Sequence, residues 1–225
     1  MSDSHPPKRI AIAIELHWNL PWHLDCYQGI MDYGQEHGWD CITDPYLSGA
    51  TGDHDLSIYD GVVGRIDASM AERVVSADCP AVTLLYGVDL HSVRSDAQGC
   101  AHYAAEHLVS CGYRQQVYLA DTDSMPTVTQ AIFKAYSQAV AGLGCPAPLK
   151  VVFDSEHNRE DKSIAIRQAM TQWILEQDKP VGLYIMDMTT ARYLAQICLR
   201  LGFRVPEDVG IVVHTADKLT ATSIT

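Results

Sequence analysis

Basic charge is scarce in this chain of 225 residues: 16 Lys and Arg stand against 28 Asp and Glu, a formal net charge of −12. The basic residues are scattered, and Lys8-Arg9 is the single adjacent pair. Nucleic-acid phosphates are held by clustered Lys and Arg, so a DNA-binding element is not expected in this chain. Long apolar runs are also missing. The run Ile10–Ile14 is broken by Glu15 and His17, too short for a secretory signal, and no stretch approaches the roughly 20 residues of a membrane span. The seven cysteines are odd in number and lack C-x-x-C spacing, which suits reduced thiols better than a disulfide framework. These absences point to a cytoplasmic protein without a membrane partner.

Catalytic signatures are equally thin. There is no G-x-x-x-x-G-K-[ST] and no G-x-S-x-G, and no cysteine has a defined His partner by spacing. His102-Tyr103-Ala104-Ala105-Glu106-His107 approaches a zinc-protease motif, but its histidines are five apart and cannot share one helix face as i, i+4 ligands. His102 and Glu106 read instead as helix-surface residues. Gly142-Leu143-Gly144 closes a helix and so is no dinucleotide fingerprint. A small α/β enzyme is therefore a weak alternative, and neither a cofactor nor a metal is implied.

What is present is alternation. At 47% apolar residues the chain can bury a substantial core, as one large or two small domains. Arg9–Ile14 is a β-branched-rich run short enough for a buried parallel strand. A loop with Trp18, Pro21 and Trp22 leads to a helix over about 23–37, closed by Gly38. Strands are predicted at 39–43, 59–64 and 80–86, with a short helix at 70–77. The pattern then restarts, with strands at 116–120, 150–153, 181–186 and 209–213 and helices at 129–143, 159–177 and 190–201. Each connection is long enough for a crossover, so the sheets should be parallel with helices on both faces. The expectation is an α/β protein of two doubly wound lobes, 8–94 and 95–225.

Between them lies the most informative segment, Val93-Arg94-Ser95-Asp96-Ala97-Gln98-Gly99-Cys100 continuing to Gly112-Tyr113. It reads as a strand end, an Asp96 N-cap, a helix rich in small residues and a Gly stop. The string V-x-S-D-x-x-G-x-x-x-A-x-x-H-L-x-x-x-G resembles the hinge and following helix of the lactose-repressor/galactose-repressor sensor domain, of periplasmic binding protein-like type I. Ala191–Leu194 followed by Leu201-Gly202-Phe203-Arg204-Val205-Pro206-Glu207-Asp208-Val209-Gly210 is similar to that family's helix, Gly stop, V-P-E-D turn and strand. Gly202 can end the helix, and Pro206 cannot continue one. With a sensor strand near the start, the chain is most similar to the xylose-type branch, which carries its DNA-binding domain after the sensor.

The resemblance implies an effector-sensing domain of a sugar-responsive transcription regulator. It would bind a pentose or related sugar, signal by cleft closure and pair as a homodimer. DNA would be reached only through a domain outside this chain. The first lobe is expected to lack the strands that return to it after Thr225. A solute-binding protein of a sugar transporter is the alternative within the same fold.

Ligand residues follow from position. Trp18, Asn19 and Trp22 follow the first strand at the carboxyl edge, where open α/β sheets bind ligands. Indole rings can stack on a sugar while Asn19 bonds its hydroxyls, or the rings merely cover the lobe. Arg65 and Asp67 follow the third strand; they face the ligand or form an exposed pair. Asp96 caps its helix, and the resemblance turns the same carboxylate toward the ligand. Asp121 and Asp123 face the cleft or are solvated loop carboxylates. By the resemblance, the ligand-gripping arginine falls at Ile132, and the family's Asn-Asp pair falls at Asp187-Met188. Its last polar cluster falls at Val213-His214-Thr215-Ala216, with Asp217 displaced. Asp187 and Thr215 are thus the second-lobe candidates.

Overall fold

A computed structural model of the chain describes residues 6–14, 16, 21–44, 47, 55–84, 88–121, 126–153 and 160–215. The chain divides into two compact units, Met1–Ser95 and Asp96–Thr225. Both are α/β with a wholly parallel sheet.

The first unit contains β1 (Arg9–Ala13), α1 (Pro21–Glu36), β2 (Asp40–Thr43), a 3-10 turn at Leu56–Ile58, β3 (Gly61–Gly64), α2 (Ala68–Ser76), β4 (Ala81–Thr83) and β5 (His91–Ser92). Its sheet runs β2-β1-β3-β4-β5, with Ala11 paired to Val62 and Val62 to Ala81. Side chains alternate across a strand, and here the two faces have different fates. Ala11, Ala13 and Val62 pack with Ile66, Met70 and Val74 into one buried core. Ile10, Val63 and Val82 instead line a groove of about 1040 Å³ together with Ile30 and Tyr33 of α1.

The second unit contains α3 (Ala97–Ser110), β6 (Gln115–Asp121), α4 (Pro126–Gly142), β7 (Leu149–Phe153), α5 (Glu160–Glu176), β8 (Val181–Ile185), α6 (Met188–Arg200) and β9 (Val209–Val213). Its sheet order is β7-β6-β8-β9. Both faces are covered, which is why β8 is buried at every position and reads as an unbroken apolar run. Val117, Leu119, Leu183 and Ile185 pack with Met170 and Ile174 of α5 and with Leu194 of α6. Tyr118, Ala120 and Tyr184 face the other way, toward Ala101, Ala104, Ala105 and Leu108 of α3 and Tyr136 of α4. Alanines on α3 leave room for four tyrosine rings in that core, with Tyr136 and Tyr184 centroids 4.8 Å apart.

Several boundaries differ from the sequence expectation. The first helix begins at Pro21 and not near His23, because proline suits the first helical position, where its fixed φ and missing N–H carry no cost. Trp22 therefore stands in a helix and not in a loop. The last helix begins at Met188 and not at Thr190, because Asp187 caps it and its carboxylate accepts from the Thr190 N–H at 2.8 Å. The strand predicted over 80–86 is assigned only at Ala81–Thr83, while residues 85–87 lie outside the described residues. The strand end expected at Val93 is the two-residue β5, one residue earlier; it pairs with β4 as Val82 with His91 and Thr83 with Ser92.

One long-range contact ties the second sheet together. Gly182 and Gly210 are register partners on β8 and β9, and the Tyr113 ring lies across both. A Cβ on Gly182 would sit 2.8 Å from the Tyr113 Cβ, and one on Gly210 would collide with the ring. The Tyr113 hydroxyl donates to the Pro206 carbonyl, pinning the turn before β9. We expect Gly210→Ala to lower unfolding free energy by about 1–3 kcal/mol through overpacking. Gly29→Ala, inside α1 with nothing within 4 Å of the added carbon, should instead raise it by about 0.5–1 kcal/mol. Urea denaturation of both variants checks the opposite signs.

Candidate functional site

In an open parallel sheet the carboxyl ends of the strands are where side chains escape the two covered faces, and ligands bind there. Each unit has such an edge.

In the second unit, Asp187 follows β8 and His214 and Thr215 follow β9. The strands are held in register to this point, since the His214 backbone N–H donates to the Ile185 carbonyl at 2.8 Å. Asp187 uses one carboxylate oxygen, Oδ1, to cap α6. Its Oδ2 is sealed from solvent and has no hydrogen-bond partner among the described residues. An unsatisfied buried acceptor costs about 1–3 kcal/mol and calls for an explanation. Thr129 Oγ1 and Trp173 Nε1 are also buried and unpartnered, but they lie within α4 and α5, whereas Asp187 stands at a strand end.

At the end of β9, the His214 ring contacts the core. Its Nδ1 lies 2.6 Å from the Tyr184 hydroxyl, and the two rings meet edge to face at 5.9 Å. Burial disfavours the imidazolium and holds the His214 pKa below the ordinary histidine value. Burial likewise pushes the Tyr184 phenol well above the usual tyrosine range, so it stays protonated and able to donate. His214 was seen in the sequence only as part of a changed cluster. Its partner Tyr184 lies 30 residues away, and no local spacing announces the pair. Thr215 is exposed directly after β9.

Asp96 opens α3 as foreseen, its Oδ1 accepting from the Gly99 N–H at 2.8 Å. The carboxylate folds over Gly99 so closely that an added Cβ would lie 2.9 Å from Asp96 Cγ. The glycine of the S-D-x-x-G string thus makes room for the cap. Ile132 lies on α4. It is 1% exposed and belongs to the core cluster of Tyr118, Tyr136 and Tyr184, so an arginine there would have to be buried. His102 and Glu106 form an exposed i, i+4 pair at 3.2 Å, as expected of helix-surface residues. In the turn after α6, Arg204 grips Asp208 with its guanidinium at 2.7 and 3.1 Å and with its backbone N–H at 2.8 Å. Those bonds hold the Asp208 carboxyl down to about 2.

In the first unit, Gly64 ends β3 at φ +149°, where an added Cβ would be 2.9 Å from the Ala13 nitrogen. The tight approach lets the Arg65 N–H donate to the Ala13 carbonyl at 2.8 Å. The Arg65 guanidinium reaches Nε2 of His23, 3.4 Å away, and His23 is fully buried in α1. Asp67, proposed as its pair, caps α2 by accepting from the Met70 N–H at 2.8 Å. His23 was not identified from sequence, because nothing local marks a buried histidine on a helix. Trp18, Asn19, Asp123, Ala216 and Asp217 lie outside the described residues, as do the side chains of Trp22 and Asp121. The apolar groove beside α1 runs from Lys8, Asp60 and Pro80 at the amino ends of the strands to Leu84 and Val93 just past the carboxyl ends of β4 and β5.

The family model for the periplasmic binding protein-like domain matches residues 105–225. That span is more than half of the chain, and the chain belongs to this family. Among solved structures it is similar to a LacI family transcriptional regulator from Mycobacterium smegmatis, with 23% identity over 92% of this chain and 77% of that one, at a TM-score of 0.65. It is similar to the xylose-binding transcription activator XylR, with 18% identity over 92% of this chain and 54% of that one, at a TM-score of 0.70. A third likeness is to a periplasmic binding protein/LacI transcriptional regulator from Alkaliphilus metalliredigens complexed with D-xylulofuranose. There the identity is 14% over 92% of this chain and 77% of that one, at a TM-score of 0.64. These are likenesses of fold. A comparison with curated protein sequences finds no match. No helix among the described residues is long and apolar enough to cross a membrane.

The titrating groups fix a pH response. A histidine whose folded pKa is depressed favours folding when neutral, so its cost grows as pH falls below the unfolded value of about 6.5. Unfolding free energy should therefore decline from about pH 7.5 to 5.5, and His214→Gln should flatten that slope. Asp208 acts in a lower window: its contribution is present above about pH 4 and is lost as pH falls toward about 2. Arg204→Ala should alter that acid limb and leave the His214 limb unchanged, as measured by denaturation at stepped pH.

Proposed function

We propose that this chain is the effector-sensing domain of a sugar-responsive, xylose-type transcription regulator. The observation that carries the reading is Asp187 Oδ2, a buried carboxylate oxygen without a partner among the described residues, at the carboxyl edge of a periplasmic binding protein-like sheet. A sugar hydroxyl would donate to it and replace the missing bond, while Thr215 and Asp96 supply further polar contacts on the same unit. Trp18, Asn19 and Trp22, with Arg65, are the proposed contacts from the first unit. Two neighbours in fold support a pentose: one is described as xylose-binding and one holds D-xylulofuranose.

Signalling follows from differential binding. A ligand that touches both units favours the arrangement in which both sets of contacts are made, and the population shifts toward it. A second copy of the chain transmits that shift across a homodimer. The acidic balance of the chain leaves DNA contact to a domain beyond it, and footprinting with this chain alone should show no protected site even at low salt.

Asp187→Asn keeps the capping oxygen and removes the charge. Calorimetric titration with D-xylose, D-xylulose, D-ribose and D-glucose should show binding of at least one sugar to the wild-type chain. Asn should weaken that binding by about 1.5–3 kcal/mol, the range for hydrogen bonds to charged groups. Its melting temperature should stay near the wild-type value. No heat from any of these sugars, or unchanged affinity in Asp187→Asn, would overturn the assignment.

A further inference from the structure

We propose that His107 and Cys111, at the end of α3, form a two-point clamp for a thiophilic metal cation of the zinc type. The clamp stands at the amino edge of the second sheet. Cys111 precedes β6, which opens at Gln115, whereas Asp187 and His214 follow the carboxyl ends of β8 and β9. It is therefore a separate site and does not depend on the sensor reading.

The pair begins with spacing. His102 and His107 are five residues apart and cannot share a helix face, but His107 has an i, i+4 neighbour in Cys111, and residues so spaced meet on a helix surface. The sequence reading gave no cysteine a histidine partner. The structure does, because the backbone stays near-helical past Ser110: Cys111, the C-cap of α3, has φ −80° and ψ 0°. His107 Nε2 and Cys111 Sγ are 3.8 Å apart. Both residues are exposed, and neither side chain makes another hydrogen bond among the described residues.

That separation suits a metal. Zinc binds an imidazole nitrogen at about 2.0–2.1 Å and a thiolate sulfur at about 2.3 Å, so an ion bridging 3.8 Å would subtend an N–Zn–S angle of about 120°. Closing the gap by about 0.3 Å brings the angle to the tetrahedral value. A thiolate with an imidazole favours zinc and its softer relatives over magnesium or calcium, which take oxygen ligands. On binding, the thiol proton leaves to solvent, the thiolate coordinates, and the neutral imidazole donates its Nε2 lone pair.

The fold holds the two donors in place. The last turn of α3 is closed by three backbone bonds: the Cys111 N–H to the His107 carbonyl at 3.0 Å, Gly112 to Val109 at 2.9 Å and Tyr113 to Leu108 at 3.0 Å. Tyr113 is in turn wedged across Gly182 and Gly210, so the core fixes the backbone that carries the clamp. The carboxyl end of a helix also bears partial negative charge and favours a cation. Among the described residues no third His, Cys, Asp or Glu completes a metal cluster. Water would take the remaining positions, which makes the site an open one.

Cobalt(II) and zinc test this on the intact chain, untagged and kept reduced. Titration with cobalt should give thiolate-to-metal charge-transfer absorption, and zinc should bleach it. Cys111→Ser should abolish that absorption. His107→Gln should weaken both ions about tenfold or more, a loss seen even when a residue that only orients a metal ligand is removed. Cys100→Ser, which removes another exposed thiol of α3, should change neither. Both clamp residues are exposed, so the variants should keep the wild-type circular dichroism. Absorption that persists in Cys111→Ser, affinity indifferent to His107→Gln, or no cobalt signal from the wild-type chain at millimolar metal would overturn the proposal.

Discussion

A parallel sheet covered on both faces gives its strands no polar outlet except at their ends. In the second unit this constraint is strict: β8 is buried throughout, and apolar clusters fill both sides of the sheet. Every group able to meet a polar ligand must therefore follow a strand, and Asp187, His214 and Thr215 do. The same packing explains why their geometry is stiff. Asp187 is held by the helix it caps, and His214 is held by a tyrosine that the α3 alanines leave room for.

The polar edge and the apolar core are thus coupled through Tyr184. Its ring belongs to the tyrosine cluster, while its hydroxyl reaches His214 at the end of β9. Buried phenol hydroxyls are usually paired, and those of the neighbouring rings are. Tyr136 donates to Gln116 Oε1 at 2.5 Å, Tyr118 to the Thr129 carbonyl at 3.2 Å, and Gln116 to the Tyr113 carbonyl at 3.1 Å. A core of leucines would fill the space but could not orient an imidazole at its rim.

Local signals in the sequence were read correctly where one residue decides the geometry. Asp96 as a cap and Gly112 and Gly202 as left-handed stops needed only their immediate neighbours, and the stops have φ of +93° and +80°. Short apolar runs located the strands for the same reason. Features made by distant residues were not legible. Tyr113 over Gly182 and Gly210, Arg65 against His23, and Tyr184 against His214 each join elements separated by tens of residues. Ile132, where the resemblance puts the family's ligand-gripping arginine, is a buried core residue in this chain.

In the function proposed above, small molecules bind at the carboxyl edges of the strands. Hydrogen exchange read by mass spectrometry, with and without saturating D-xylose or D-xylulose, tests it most directly. Bound sugar should slow exchange in peptides covering 186–190 and 213–215, and around Arg65, where backbone amides flank the proposed contacts. Unchanged exchange at these edges, with protection confined to the apolar groove beside α1, would contradict it.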